Sequence, residues 1–257
     1  MEYTLAFPDL LRLIDERSAA FRAAVAAAPD LDARVPTCPD WTLLELAQHM
    51  GDSRRRWAAI VAAGPDAAPP PKSAPEGAPT APRDRDALEK WSAAATDELL
   101  DALREVGPDR ACWTWWSGSQ SPRTTGAVAR HQLHEIAVHT YDAQLTAGAA
   151  RPLPDEVALD GADEFLHTCC ATTSPWPHEP AVLDYRVAEG RSWRLHLSAD
   201  GARATRRPDD DGVADLTGRA TASDLVLSMF GRIPVDDLDL EGDRRVLHRL
   251  VAWEPEV

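Results

Sequence analysis

The sequence predicts an α+β protein in which a group of helices precedes a smaller mixed domain. In the first half, apolar residues recur at helical spacing in four segments. Near Pro152-Leu153-Pro154 the pattern changes to short runs in which apolar and polar residues alternate, as in strands. With 257 residues the chain can form one large domain or two ordinary ones. We therefore place a helical domain at 1–151 and a small α+β domain at 152–257.

Capping signals and apolar periodicity predict the helices of the first domain. Thr42 and Glu45 have capping-box spacing and are followed by apolar residues, and Gly148 stands where a helix C-terminus favours glycine. Residues 64–83 are rich in proline and predict a long connection. The four helices are predicted from Pro8 to about Ala28, from Asp40 or Thr42 onward, from Asp84 to about Val106 and from Thr125 to about Ala147.

The second domain begins with one more predicted helix, at about 155–170. Strands follow at about 182–187 and 193–197, and a third is predicted from Val213 to Leu216, after the acidic turn Asp209–Gly212. Thr221 opens a further helix, and Gly242-Asp243 precedes a last one that ends at Val251. This mixture fits a small α+β domain.

Composition and charge limit the partners that the protein can have. The net charge of −15 disfavours binding to nucleic-acid phosphates or to an anionic membrane, so small molecules are the expected partners. No run approaches eighteen apolar residues and the N-terminus lacks a signal-peptide pattern, which predicts a cytoplasmic protein. The four cysteines, which form neither a C-x-x-C pair nor a dense framework, are expected to be reduced thiols.

A candidate metal site rests on three residues of the first domain. Glu135 and His139 are four positions apart on the fourth helix and therefore share one face, while His49 lies on the second helix. Three such ligands leave one coordination position open for chemistry. His131 shares the ridge but lies about 12 Å along the axis from His139, too far to share an ion. A solvated surface pair is the alternative for Glu135 and His139.

Several segments together resemble the mycothiol-dependent maleylpyruvate isomerase family. The family combines a DinB-like, metal-binding four-helix bundle with a C-terminal domain of sterol-carrier-like α+β fold. The resemblance covers nearly the whole chain. The matching segments are Val35–Thr42, Leu46–Gly51, Arg130–His139 followed by Tyr141 and Asp142, Leu216–Leu225, and Leu240–Asp243.

The resemblance implies that a divalent metal, usually zinc, is held by His49, Glu135 and His139. It further implies that mycothiol is the thiol cosubstrate of a transferase or a cis-trans isomerase acting on an electrophilic small molecule. Two alternatives stay open: a metal-dependent hydrolase, and a non-catalytic protein that binds a metal or ligand in regulation. A monomer and a homodimer are both compatible with the sequence.

Four further residues are assigned to the predicted site. Arg232, at a position where the family often has arginine, and Arg130 are assigned to catalysis, where they could bind an anionic group. Trp116 and Arg123 are assigned to cofactor binding. The alternatives are packing for the tryptophan, local ion pairs for Arg123 and Arg130, and capping of its own helix for Arg232. Asp142 could orient Tyr141 or an arginine, and the sequence does not decide between them.

Overall fold

The computed structural model describes residues 4–67, 80–206 and 212–255. These residues form two compact units. The first, here called the helical unit, comprises the described residues of Leu5–Thr114 and Arg123–Leu153. The second, the sheet unit, comprises the described residues of Trp115–Pro122 and Pro154–Val257, together with Thr4. A short segment that the sequence assigned to the first domain therefore belongs to the second unit.

Four long helices build the helical unit. They pack mainly in the pairs α1 with α4 and α2 with α3, and α1 also packs on α3. A small antiparallel hairpin, β1 with β2, precedes α2 and contacts both α2 and α4. The elements are α1 Phe7–Ala27, β1 Arg34–Val35, β2 Cys38–Thr42, α2 Leu43–Ala63, α3 Arg85–Val106 and α4 Thr125–Thr146.

Side-chain caps begin three of these helices at the predicted positions. The Thr42 hydroxyl accepts a hydrogen bond from Glu45 N, and Glu45 Oε2 accepts one from Thr42 N, so the predicted capping box is formed. The side chains of Asp84 and Thr124 accept a backbone hydrogen bond at the start of α3 and of α4, from Ala87 N and Ala127 N. Fixing the start of α2 sets which of its side chains face the bundle.

Gly51 permits an unusually close contact between α2 and α3. A Cβ atom at this position would lie 2.0 Å from the ring of Trp91, so only glycine lets the indole pack against the α2 backbone. The Arg55 guanidinium lies 4.4 Å from the centre of the same ring, and its Nη2 donates a hydrogen bond to Trp91 O. This close contact between α2 and α3 therefore lies two residues after His49 in α2.

The sheet unit consists of a five-stranded sheet with helices. The strand order is β5-β4-β3-β6-β7, in which only the β3–β6 pair is parallel. α5 continues into a π-helical turn at Leu166–Cys170 and packs against α6. The elements are α5 Asp155–Phe165, β3 Ala181–Val187, β4 Ser192–Ser198, β5 Gly201–Arg206, β6 Leu216–Ala220, α6 Ala222–Met229, β7 Asp239–Gly242 and α7 Arg244–Ala252.

Segment Trp115–Pro122 is tied to the sheet unit by its own hydrogen bonds. Gln120 Nε2 donates to Ala204 O at 3.0 Å, and Gln120 Oε1 accepts from Ala204 N at 2.6 Å. The backbone of Gln120 also donates to His167 O. Gln120 thus pairs with β5 much as a short edge strand does.

The predicted α+β architecture, with a helical bundle before a sheet domain, is confirmed, and two details differ. The strand predicted at 213–216 begins only at Leu216, and Val213 is 97% exposed. The strands β1, β2, β5 and β7 are not predicted. Residues 68–79 of the predicted connection and 209–211 of the predicted turn lie outside the described residues. No described helix has the length and apolar character needed to span a membrane.

Candidate metal centre

The structure brings His49, Glu135 and His139 together. Their ligand atoms all lie within 4.8 Å of one another, with His49 on α2 and the other two residues on α4. His49 Nε2 is 3.5 Å from Glu135 Oε1. Two atoms that bind a tetrahedral zinc ion at 2.0–2.1 Å lie about 3.3 Å apart, so this separation fits one shared ion. Two imidazoles and one carboxylate are also a donor set that suits zinc.

The cluster is open on one side. The exposed fraction of the side chain is 33% for His49 on α2. It is lower for the two ligands on α4, at 18% for Glu135 and 12% for His139. An ion at this position would be held from the protein side and reached by a small molecule from the solvent side. That arrangement suits a reactive site better than a closed structural one.

Four neighbouring side chains hold Glu135 in its charged form. Ser53 Oγ lies 2.9 Å from both carboxylate oxygens, and Gln132 Nε2 donates to Oε2 at 2.5 Å. Burial alone would raise the pKa of Glu135, but the hydrogen bond from His49 and the positive charge of Arg54 hold that pKa well below its usual range.

Arg54 acts on the cluster through Gln132. Its guanidinium is 2% exposed, and Nη1 donates to Gln132 Oε1 at 2.8 Å and to Gln132 O at 3.2 Å. Because Arg54 occupies the amide oxygen, the amide nitrogen of Gln132 is directed at Glu135. Burial lowers the pKa of Arg54 to about 10, opposed by the charge of Glu135, so Arg54 stays protonated at neutral pH.

Asp142 orients His139, whereas the sequence analysis considered only Tyr141 or an arginine as its partner. Its Oδ2 accepts a hydrogen bond from His139 Nδ1 at 2.8 Å, and the carboxylate is fully buried. Thr37 Oγ1 donates to Asp142 Oδ1 at 2.6 Å from the turn between β1 and β2. With Nδ1 occupied by a carboxylate, the Nε2 lone pair of His139 is available to a metal. The spacing His-x-x-Asp on one helix was the available signal.

The other histidines of α4 lie outside this cluster. His131, excluded from the predicted ligand set by distance, stands near Trp57, with the two ring centres 6.3 Å apart. His134 is 1% exposed and belongs to the interior of the bundle. Trp41 flanks the cluster instead, with its ring centre 4.6 Å from that of His49 and 6.2 Å from that of His139. The sequence did not identify Trp41 as part of the site.

Two of the remaining predicted site residues, Arg123 and Arg130, belong to the helical unit, and Trp116 and Arg232 belong to the sheet unit. Arg123 is exposed, and Arg130 lies on α4 at about 140° around the axis from Glu135. Trp116 is 2% exposed within the sheet unit and donates from Nε1 to Pro122 O, a contact that fits its packing alternative. Arg232 donates from Nη1 to Phe230 O at 2.7 Å at the end of α6, which matches its capping alternative.

The four cysteines are free thiols, as expected. Of the two cysteines in the helical unit, Cys38 lies beside the cluster, since its Sγ lies 3.8 Å from Asp142 Oδ2. Cys38, His139 and Asp142 form a second group with suitable spacing for a metal. Asp142 already accepts a hydrogen bond from His139 Nδ1, and His139 is also a ligand of the first group. We therefore treat the second group as part of the first site and not as a separate one.

Comparisons with known proteins place both units in one family. The family described as "Mycothiol maleylpyruvate isomerase N-terminal domain" matches residues 11–144. Its C-terminal counterpart, the MDMPI C-terminal domain, matches residues 156–249. The two matches follow each other along the chain without overlap.

Solved structures show the same fold at low sequence identity. A crystal structure of the mycothiol-dependent maleylpyruvate isomerase is 16% identical, with a TM-score of 0.55, over 92% of this chain and 93% of that chain. A crystal structure of a histidine-to-alanine mutant of the mycothiol-dependent maleylpyruvate isomerase is 14% identical, with a TM-score of 0.56 and the same coverage. No curated protein sequence matches the chain significantly.

Proposed function

The chain belongs to the mycothiol maleylpyruvate isomerase family, and on that premise we propose that it is a metal-dependent enzyme that uses mycothiol as cosubstrate. Its expected chemistry is attack of the thiol on a small electrophile, either as a cis-trans isomerase or as a thiol transferase. The observation that carries the proposal is the convergence of His49, Glu135 and His139 within 4.8 Å.

In this proposal His49 Nε2, a Glu135 oxygen and His139 Nε2 hold a divalent metal, with zinc the favoured ion. The bound metal supplies a Lewis acid that lowers the pKa of a thiol enough for thiolate to dominate at neutral pH. Asp142 fixes the tautomer of His139, and Ser53 with Gln132 fixes the rotamer of Glu135. The charge on Glu135 also offsets part of the metal's charge.

The cosubstrate thiol then serves as the nucleophile, so no protein cysteine is required. In an isomerase, rotation about a former double bond precedes departure of the thiol. In a transferase the thiol stays in the product. The exposed side of His49 gives such a molecule access from solvent.

The metal centre is tested by metal analysis of purified variants. We expect about one divalent ion per chain in the wild type, and loss of most of it in His49→Ala and in His139→Ala. His131→Ala is the matched control, because it removes an imidazole of the same helix that is not one of the clustered ligands. Full occupancy in both His49→Ala and His139→Ala would refute the site.

Thiol binding is tested with the cobalt-substituted protein. Adding mycothiol should produce an intense near-ultraviolet charge-transfer band, because sulfur ligation gives that band and oxygen ligation does not. The band should be absent in Glu135→Ala. If the spectrum is unchanged at saturating mycothiol while the protein hydrolyses an ester or amide, the thiol proposal is wrong and the protein is a metal-dependent hydrolase. An unchanged spectrum without turnover would favour a regulatory metal-binding protein.

A further inference from the structure

The Nδ1 side of His139 adjoins a set of donor atoms that differs from the first cluster. Cys38, Asp142 and His139 each offer one atom to a metal, and these atoms lie within 4.8 Å of one another. They supply sulfur, oxygen and nitrogen, whereas the first cluster contains no sulfur. Because His139 belongs to both groups, an ion bound on this side of the ring also acts on the proposed metal centre.

The hairpin of β1 and β2 brings Cys38 to this position. Cys38 is the first residue of β2, and its thiol donates to Asp142 Oδ2 at 3.8 Å. Thr37, directly before it, donates to the other carboxylate oxygen, Oδ1, at 2.6 Å. Because Thr37 occupies Oδ1, the thiol and the His139 ring share Oδ2. One carboxylate oxygen therefore lies beside both a sulfur and a nitrogen donor.

The separations of these atoms suit one shared ion. A sulfur and an oxygen that bind tetrahedral zinc at about 2.3 Å and 2.1 Å lie about 3.6 Å apart. The observed separation between Cys38 Sγ and Asp142 Oδ2 is 3.8 Å. His139 Nδ1 and Asp142 Oδ2 are 2.8 Å apart, so they would move apart by about 0.5 Å for an ion to replace the proton between them.

The donor types determine which ion this position prefers. Thiolate is a soft ligand and selects thiophilic ions, while two imidazoles with a carboxylate suit zinc. Asp142 is fully buried and the side chain of His139 is 12% exposed, so the oxygen and nitrogen donors are largely shielded from water. Cys38 is half-buried, which leaves its thiol partly accessible to an arriving ion.

The two positions compete for one imidazole. In a neutral imidazole one nitrogen carries the proton and only the other has a free lone pair. When His139 Nε2 is a ligand in the first cluster, the proton is on Nδ1 and points to Asp142. An ion that binds Nδ1 needs the lone pair there, so the proton has to be on Nε2, and His139 is lost to the first cluster.

We propose that Cys38, Asp142 and His139 form a position for a soft divalent ion, and that its occupation releases the ion of the proposed metal centre. The soft ion binds the Cys38 sulfur, Asp142 Oδ2 and His139 Nδ1. The thiol proton passes to solvent and the Nδ1 proton is replaced by one on Nε2. The release of the first ion rests on the proposed function, whereas the soft-ion position itself does not.

Titration of the cobalt-loaded protein with Cd²⁺ tests this proposal. Cobalt in the first cluster absorbs visible light, and cadmium bound to sulfur has an ultraviolet charge-transfer band, so both ions can be followed together. One equivalent of Cd²⁺ should produce the band in the wild type and remove most of the cobalt absorption. Cys38→Ser should lack the band and should need at least about tenfold more Cd²⁺ to release cobalt, because direct competition for the first cluster offers no sulfur ligand.

Cys112→Ser is the matched control. Cys112 is a buried thiol of the same unit, and its Sγ contacts Ile60 O instead of the cluster. The variant should therefore form the cadmium band and release cobalt as the wild type does. A band that persists in Cys38→Ser would overturn the inference, as would a band that forms without loss of the cobalt absorption. Release of cobalt at the same Cd²⁺ concentration in Cys38→Ser and in the wild type would also overturn it.

His49→Ala separates this inference from the proposed metal centre. The variant removes a ligand of the first cluster and leaves Cys38, Asp142 and His139 in place. It should therefore form the cadmium band although it holds little cobalt. If the wild type itself binds no cobalt, the proposed centre is wrong, and dependence of the cadmium band on Cys38 still decides whether the soft-ion position exists.

Discussion

At the scale of single residues, the candidate metal centre depends on groups that do not themselves reach the metal position. Asp142 fixes which nitrogen of His139 faces the cluster. The buried Arg54 donates to the amide oxygen of Gln132, and the amide nitrogen of Gln132 donates to Glu135. The three ligands could be found from sequence because helical spacing and a resemblance pointed to them. The supporting residues could not, because Thr37 and Asp142 are 105 positions apart and meet only through packing of the hairpin against α4.

Asp142→Asn should weaken metal binding by about 10–100-fold, the usual effect of removing a carboxylate behind a ligating histidine. The amide keeps the size of the side chain but no longer favours the His139 tautomer with its proton on Nδ1. Competition with a chromophoric chelator measures the affinity. Asp101→Asn, an exposed carboxylate on α3, should leave the affinity unchanged. Equal affinities for both variants would remove Asp142 from the site.

The cysteines should be dispensable for turnover. Burial raises the pKa values of Cys112, Cys169 and Cys170, which makes these thiols poor nucleophiles at neutral pH. A variant with all four cysteines replaced by alanine or serine is therefore expected to keep its activity with mycothiol, provided that circular dichroism and metal content match the wild type. Loss of turnover in such a folded, metal-loaded variant would indicate a protein thiol mechanism.

At the scale of elements, helices were predicted more accurately than strands. The helices α2, α3 and α4 begin at side-chain caps that are visible in the sequence. The strand β5 has the sequence Gly-Ala-Arg-Ala-Thr-Arg, in which small residues face the core, so no bulky alternation marks it. The position of β6 was predicted wrongly for a similar reason, because Val213 resembles a strand residue while Gly218 and Ala220 do not. Pairing with β3 fixes this strand, and pairing is not visible in a single sequence.

Gly51→Ala should destabilise the helical unit by about 1–3 kcal/mol, the usual effect of overpacking, because the new methyl group would overlap the Trp91 ring. Chemical denaturation measures the change. Gly118→Ala is the control, since its Cβ would meet only the Thr173 hydroxyl oxygen, at 3.6 Å. Combining Gly51→Ala with Trp91→Leu should recover part of the loss, because the two changes act at one contact. Strictly additive effects would contradict the proposed steric cause.

At the scale of the whole molecule, the metal centre joins helices that are far apart in sequence but lies entirely within the helical unit. An ion bound there stabilises the folded state by about 2.7 kcal/mol when free metal is 100 times Kd. Adding zinc to metal-free protein should therefore raise the melting temperature of the helical unit by roughly 5 °C or more.

Calorimetry of metal-free and zinc-loaded protein measures this shift. If the two units melt separately, only the transition of the helical unit should move. The shift should disappear in His49→Ala and persist in His131→Ala, whose imidazole is outside the cluster. An equal shift in both variants would mean that zinc stabilises the chain at some other position.

The pairing of Gln120 with Ala204 has a consequence for folding during synthesis. The two residues are 84 positions apart, so at about 5–20 residues per second the ribosome adds Ala204 roughly 4–17 s after Gln120. During that interval segment Trp115–Pro122 has no strand to join, although the chain before and after it belongs to the helical unit. The segment can therefore take its final place only late in synthesis, after every residue of the helical unit has been added to the chain.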